Sequence, residues 1–227
     1  QKDNLKTIKV IQTPKNLFEI YLIENGLKNS DIKKYCSYYY NKYWEIFNLS
    51  KIINHFEIFT KMNQESKKFK IHIFEENNLK ATELLVIAPD HHGLFSLISG
   101  LVASSGYDVV NAKIITRSDG YALDTFFIQN KDRKPISEEH SKKRLLKTIS
   151  QGLEGNFNIE KALKLRWEEI PARFRAVKAP TRVVIDNNMS DEYSILEIKC
   201  KNAPGVLYRI TKVITGLGFQ INTANVS

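Results

Sequence analysis

The sequence has no run of apolar residues approaching the ~18 needed to cross a bilayer, so no transmembrane helix and no membrane partner are expected. It does not open on methionine, and no basic-then-apolar leader follows Gln1. No signal peptide is expected, and the chain reads as a piece of something longer. Cysteine is scarce. Cys36 and Cys200 lie far apart in apolar or aromatic surroundings, which reads as two buried free thiols in a reducing, cytoplasmic compartment. Neither belongs to a CxxC pair, which excludes the usual structural zinc spacing. His91-His92 follows Asp90, but His72 and His140 stand at no recognisable ligand spacing from it, so no metal site is expected.

What is present is ordinary for a globular chain of 227 residues: 42% hydrophobic and 26% charged. The formal charge is +9, which raises the possibility of a basic nucleic-acid-binding module. The excess is thinly spread, however, over Lys67-Lys68, Lys142-Lys143-Arg144 and residues 173–178. Heavy use of Lys, Asn, Ile and Tyr throughout is what an AT-rich genome produces without selection for a basic surface. No nucleic-acid partner is expected.

Residues 1–68 read as a helical segment. Leu17, Ile20, Tyr21 and Ile23 precede the stop signal Asn25-Gly26. Asp31 opens a second helix through the aromatic run from Tyr35 to Tyr43, and Ile52, Ile53, Phe56 and Phe59 form an amphipathic face on a third. Helical spacing makes Tyr38, Tyr39, Tyr40, Tyr43 and Trp44 packed core rather than a base-stacking platform. His55, one turn from Phe59, reads as a core or surface histidine rather than a ligand.

From residue 69 the period changes to strands at 69–74 and 83–88. A loop at 89–93 leads to a helix carrying Leu94, Leu97, Ile98 and Leu101, closed by Gly106. Strands at 109–116 and 121–129 flank the turn Ser118-Asp119-Gly120, and a helix follows at 137–149. The fold class is α+β: β-α-β-β-α, needing one last strand for a ferredoxin-like sandwich. Residues 69–154 make this first unit, and residues 155–181 a connecting helix and loop. Residues 182–227 begin the pattern again and stop just inside its second strand.

The recurrence is specific. A shift of 112 residues lays Gly93 on Gly205 and Gly106 on Gly218. Leu84 then falls on Leu196, Val86 on Ile198, Ile98 on Ile210, Leu101 on Val213, Ala112 on Ala224, Ile114 on Val226, and Asp90 meets Asn202. In each copy a glycine in the strand-to-helix turn lets the backbone bend tightly, and the helix N-terminus beyond it offers free N–H groups to a carboxylate. Asp90 or Asn202 beside that turn suits the ammonium of a free amino acid. The plainer alternative, which the motif alone favours, is that both side chains cap their helices.

These residues carry a resemblance. The stretch ELLVIAPDHHGLFSLISGLVASSGYDVVNAKIITRSDGYALDTFFIQ resembles the first ACT domain of the PII uridylyltransferase/uridylyl-removing enzymes. RVVIDNNMSDEYSILEIKCKNAPGVLYRITKVITGLGFQINTANVS resembles the start of their second ACT domain, and YYNKYWEIFNLSKIINH the helical segment that precedes the pair. The most specific parts are Asp119-Gly120, Asp124-Thr125 and Asp186-Asn187-Asn188. The family's turn reads Asp-x-Pro-Gly; here His92 takes the proline place in the first copy and Asn202 the aspartate place in the second.

The resemblance implies a bifunctional parent enzyme that transfers UMP to the PII signal protein and removes it again, using Mg²⁺. It implies glutamine as the effector, bound near Asp90, His91, His92 and Gly93 and near Asn202, Ala203, Pro204 and Gly205, and pairing between ACT units. No Gly-Ser turn followed by paired aspartates and no His…His-Asp…Asp set occurs in this sequence, so no catalytic residue and no cofactor are expected within it. The alternative is the regulatory region of another amino-acid-controlled enzyme.

Overall fold

The computed structural model describes residues 13–74 and 80–226. Residues 1–12, 75–79 and Ser227, which belong to the expected helical segment, first unit and second unit, lie outside the described residues.

Four helices come first: α1 (Pro14–Glu24), α2 (Asn29–Ser37), α3 (Asn41–Ile46) and α4 (Leu49–Gln64). Pro14 pre-sets the first turn of α1, and the Thr13 hydroxyl accepts from the Asn16 N–H at 3.2 Å. Asn48 caps α4 in the same way, accepting from the Lys51 N–H at 3.0 Å. Phe18, Leu22, Tyr39, Tyr43, Trp44, Ile52 and Phe59 are buried. Tyr39 stacks on Tyr43 with ring centroids 4.0 Å apart, and Phe18 meets Trp44 and Phe56 at 5.9 and 5.7 Å. Tyr39, Tyr43 and Trp44 are thus core and Tyr38 is half-buried, but Tyr40, expected in the core, is 67% exposed. The aromatic run is not one helix, as its periodicity suggests: Tyr40 is extended, and the break frees the Tyr38 carbonyl to accept from the Ser118 N–H at 3.0 Å.

The strands and helices of the first repeat follow: β1 (Lys70–Phe74), β2 (Thr82–Pro89), α5 (Leu94–Ser104), β3 (Asp108–Lys113), β4 (Tyr121–Gln129) and α6 (Glu139–Leu153). Every residue of β2 from Thr82 to Ala88 is buried, the polar Thr82 and Glu83 together with the apolar run that follows them. Gly120 supplies the positive φ, +83°, that the turn before β4 requires. Beyond α6 the chain forms α7 (Ile159–Glu169), α8 (Ala172–Arg175), β5 (Arg182–Asp186), β6 (Ile195–Lys199), α9 (Val206–Gly216) and β7 (Thr223–Asn225).

One sheet has the order β1-β2-β4-β3-β7, and β5 and β6 form a separate antiparallel pair in which Arg182 faces Lys199 and Asp186 faces Ile195. This mixed α/β arrangement is compatible with ferredoxin-like units. The last strand, expected after the second helix, is supplied differently: β1, which precedes β2 in the chain, lies at its edge, the place a closing strand takes in a split β-α-β arrangement.

The repeat is visible element by element. A shift of 112 residues lays α5 on α9 from end to end. Gly93 and Gly205 open these helices at φ +89° and +73°, and Gly106 and Gly218 follow them at +98° and +85°. The two helices pack on each other, and the Ser96 hydroxyl donates to the carbonyl of its own repeat counterpart, Tyr208, at 3.3 Å. Gly100 makes the approach possible, since a Cβ there would lie 2.8 Å from the Tyr208 ring. The Val226 N–H donates to the Val110 carbonyl at 3.0 Å, and the Asn111 side-chain amide bonds that of Asn225. The second repeat leaves more apolar surface open: Leu196 is 40% and Val213 62% exposed. Cys200 is exposed on this second repeat, correcting the expectation of two buried thiols; only Cys36 is buried, and burial pushes its thiol up to about 11.

Contacts group the chain into two compact units. Of the described residues, one unit holds those up to His72 with Leu84–His91 and Lys113–Thr125; the other holds those within 73–83, His92–Ala112 and those from Phe126 on.

Candidate functional site

β2 ends on Pro89 and delivers Asp90 to the surface. The Asp90 N–H donates to the Gly120 carbonyl at 2.8 Å, and its carboxylate accepts the Thr116 hydroxyl at 3.0 Å. His91 and His92 are exposed. His92 Nε2 lies 2.6 Å from the Thr215 carbonyl, an acceptor only, so that nitrogen carries the proton. Gly93 then opens α5 with no side-chain cap, and Gly205 does the same for α9. The capping reading of Asp90 and Asn202 is therefore corrected. Gly93 and Gly205 themselves hold the N-cap positions, and the Asp90 carboxylate is engaged by Thr116 instead.

The 202–205 turn has different surroundings. Asn202 is exposed, Ala203 and Pro204 are half-buried, and Gly205 is buried. A Cβ at Gly205 would lie 2.4 Å from Leu163, so α7 roofs this turn. Lys201 is fixed beside it, its ammonium donating to the carbonyls of Phe174, Arg175 and Val177 at 2.7, 2.9 and 2.7 Å. At Gly93 the nearest atom to a Cβ would be 3.6 Å away, on Thr215.

Two side chains near the first turn were not among the site residues expected from the sequence. Asp124 on β4 is buried, and its carboxyl accepts a long bond, 3.4 Å, from the Ile115 N–H. Burial pushes its pKa up to about 8; the Ile115 N–H works against that rise and the charge of Asp90 adds to it. Arg117 is the second. Its side chain is wholly buried, donating through Nε and Nη2 to the two Asp119 carboxylate oxygens at 2.9 and 2.7 Å and through Nη1 to the Tyr39 hydroxyl at 2.7 Å. The guanidinium also lies 3.9 Å from the Phe59 ring centroid and 4.9 Å from that of Tyr38. Burial opposes the charge, but Asp119 together with Tyr39 and Tyr35 outweighs it, and the pKa is raised. The spacing Arg117-x-Asp119 across a hairpin turn was the available signal for this pair.

Among the described residues no group of three or more His, Cys, Asp or Glu side chains is placed to hold a metal ion, and no helix is long and apolar enough to cross a membrane.

No family model matches the chain. Individual relatives do. The chain is 33% identical over 195 residues to a bifunctional uridylyltransferase/uridylyl-removing enzyme of Rhodospirillum rubrum, 32% over 202 residues to that of Gluconobacter oxydans and 33% over 199 residues to that of Rhodopseudomonas palustris. These matches cover 86%, 88% and 87% of the chain. The chain spans 21% of the length of each of these relatives. The resemblance read from the residues thus extends over most of this chain, which is homologous to about a fifth of such an enzyme.

Proposed function

We propose that this region is the glutamine-sensing part of a bifunctional uridylyltransferase/uridylyl-removing enzyme, with its repeats acting as paired ACT units. The effector governs chemistry carried out elsewhere in the enzyme, the transfer of UMP to PII protein and its removal. The observation that carries the reading is the 90–93 turn. An exposed carboxylate, held by Thr116, precedes a left-handed glycine that opens an eleven-residue helix with no side-chain cap. A free amino acid presents one cation and one anion. Asp90 answers the ammonium, and the first N–H groups of the helix answer the carboxylate.

The 202–205 turn repeats the backbone but offers an amide for the carboxylate and lies under Leu163, which makes the first turn the principal site. Titration of glutamine into the 227-residue chain tests the assignment. Asp90→Ala should weaken binding by roughly ten- to a hundredfold, the value of one charged hydrogen bond, with the circular dichroism spectrum unchanged. Binding of a different amino acid in preference to glutamine would favour the regulatory region of another enzyme.

A further inference from the structure

The 115–121 hairpin is fastened on both sides. Along a strand, successive side chains point to opposite faces. Thr116 is exposed and donates its hydroxyl to Asp90 at 3.0 Å, while Arg117, next in the chain, is wholly buried against Tyr39 and Phe59 of the helical segment. The hairpin backbone repeats the arrangement. The Gly120 carbonyl accepts from the Asp90 N–H at 2.8 Å, and the Ser118 N–H donates to the Tyr38 carbonyl at 3.0 Å. Tyr121 adds an edge-on contact to Phe59 at 5.4 Å. All these residues, with the helices up to α4, belong to one compact unit.

We propose that Thr116 and Arg117 are positioning residues of the effector site, and that this hairpin carries the state of Asp90 to the break between α2 and α3. The proposal rests on the 90–93 turn being that site. Thr116 donates one charge-assisted hydrogen bond to Asp90 Oδ2, and an ammonium arriving at the carboxylate draws on the same charge and competes for that oxygen. Arg117 cannot accommodate a shift of Thr116 by turning alone, because a bidentate pair with Asp119 and a third bond to Tyr39 fix its plane. A displacement of the hairpin therefore reaches Tyr38 and Tyr39, the residues at the helix break.

Amide hydrogen exchange on the 227-residue chain tests this in two arms. Without ligand, Thr116→Val should speed exchange across residues 38–47 by about tenfold or more, while α5 keeps its wild-type protection and Thr116→Ser restores the original rates. Unchanged rates across 38–47 in Thr116→Val, or equal acceleration in α5, would overturn the proposal. With saturating glutamine, exchange across 38–47 should change in the wild type. In Tyr39→Phe, which loses only the hydroxyl that holds Arg117, binding should stay within about threefold while that change disappears. A change that survives in Tyr39→Phe also overturns it. If glutamine does not bind the wild type, the effector assignment falls, and the ligand-free arm still decides the coupling.

Discussion

Two buried titratable residues give the helical and hairpin region opposite responses to pH. Asp124 has a folded pKa pushed up to about 8 by burial, against about 3.9 in an unfolded chain. Its protonated form is the one the fold accommodates. The stability it supports is present below about pH 4 and lost as pH rises through about 8. His55 works the other way: burial, with Lys51 and Lys113 nearby, lowers its pKa to about 3, so its contribution is present above about 6.5 and lost as pH falls towards 3. Urea unfolding of Asp124→Asn at pH 5, 6 and 7 should show the mutant gaining on wild type by about 1.4 kcal/mol per pH unit; parallel curves would show that Asp124 is ionised in the fold. His55→Phe should flatten the acid limb instead. It leaves the Tyr43 hydroxyl, 3.1 Å from Nδ1, without that partner, at a cost of about 1–3 kcal/mol at all pH values.

At the scale of elements, the glycine turns divide into open and crowded ones. Gly120 and Gly205 both need positive φ, and an alanine at either position costs about 1–2 kcal/mol for the backbone alone. Only at Gly205 does the added Cβ also run into Leu163. Gly205→Ala should therefore lower the unfolding midpoint more than Gly120→Ala, and equal losses would mean that α7 does not press on the turn. The repeat behind these turns was legible because glycine spacing and apolar faces survive a 112-residue shift, and α5 and α9 share their bounds under it. Other features were not legible. Alternation marks 69–74 as a strand but says nothing of its neighbour, so the edge place of β1 beside β2 could not be read. The aromatic run keeps helical spacing through Tyr38–Tyr40, and its break answers to Ser118, eighty residues on in the chain. Arg117 looks like a surface charge in its own stretch, because the rings that enclose it come from α4 and from the segment around Tyr39. Asp90 and Asn202 looked like caps because spacing cannot show that Gly93 and Gly205 take that position.

For the molecule as a whole, protection should follow burial. β2 is buried along nearly its whole length, whereas Leu196, Val213, Leu217 and Phe219 of the second repeat are 40–69% exposed. Slow hydrogen exchange is expected across residues 83–129 and fast exchange across 193–226; equal, concentration-independent protection of both would mean that the second repeat is stable as it stands. The role of this region in the account is to sense. The direct test is a calorimetric titration of glutamine into the wild type and into Asp90→Ala. The account predicts saturable binding by the wild type, weakened roughly ten- to a hundredfold by the substitution while the fold is retained. No binding by the wild type, or equal affinity for both proteins, would contradict it.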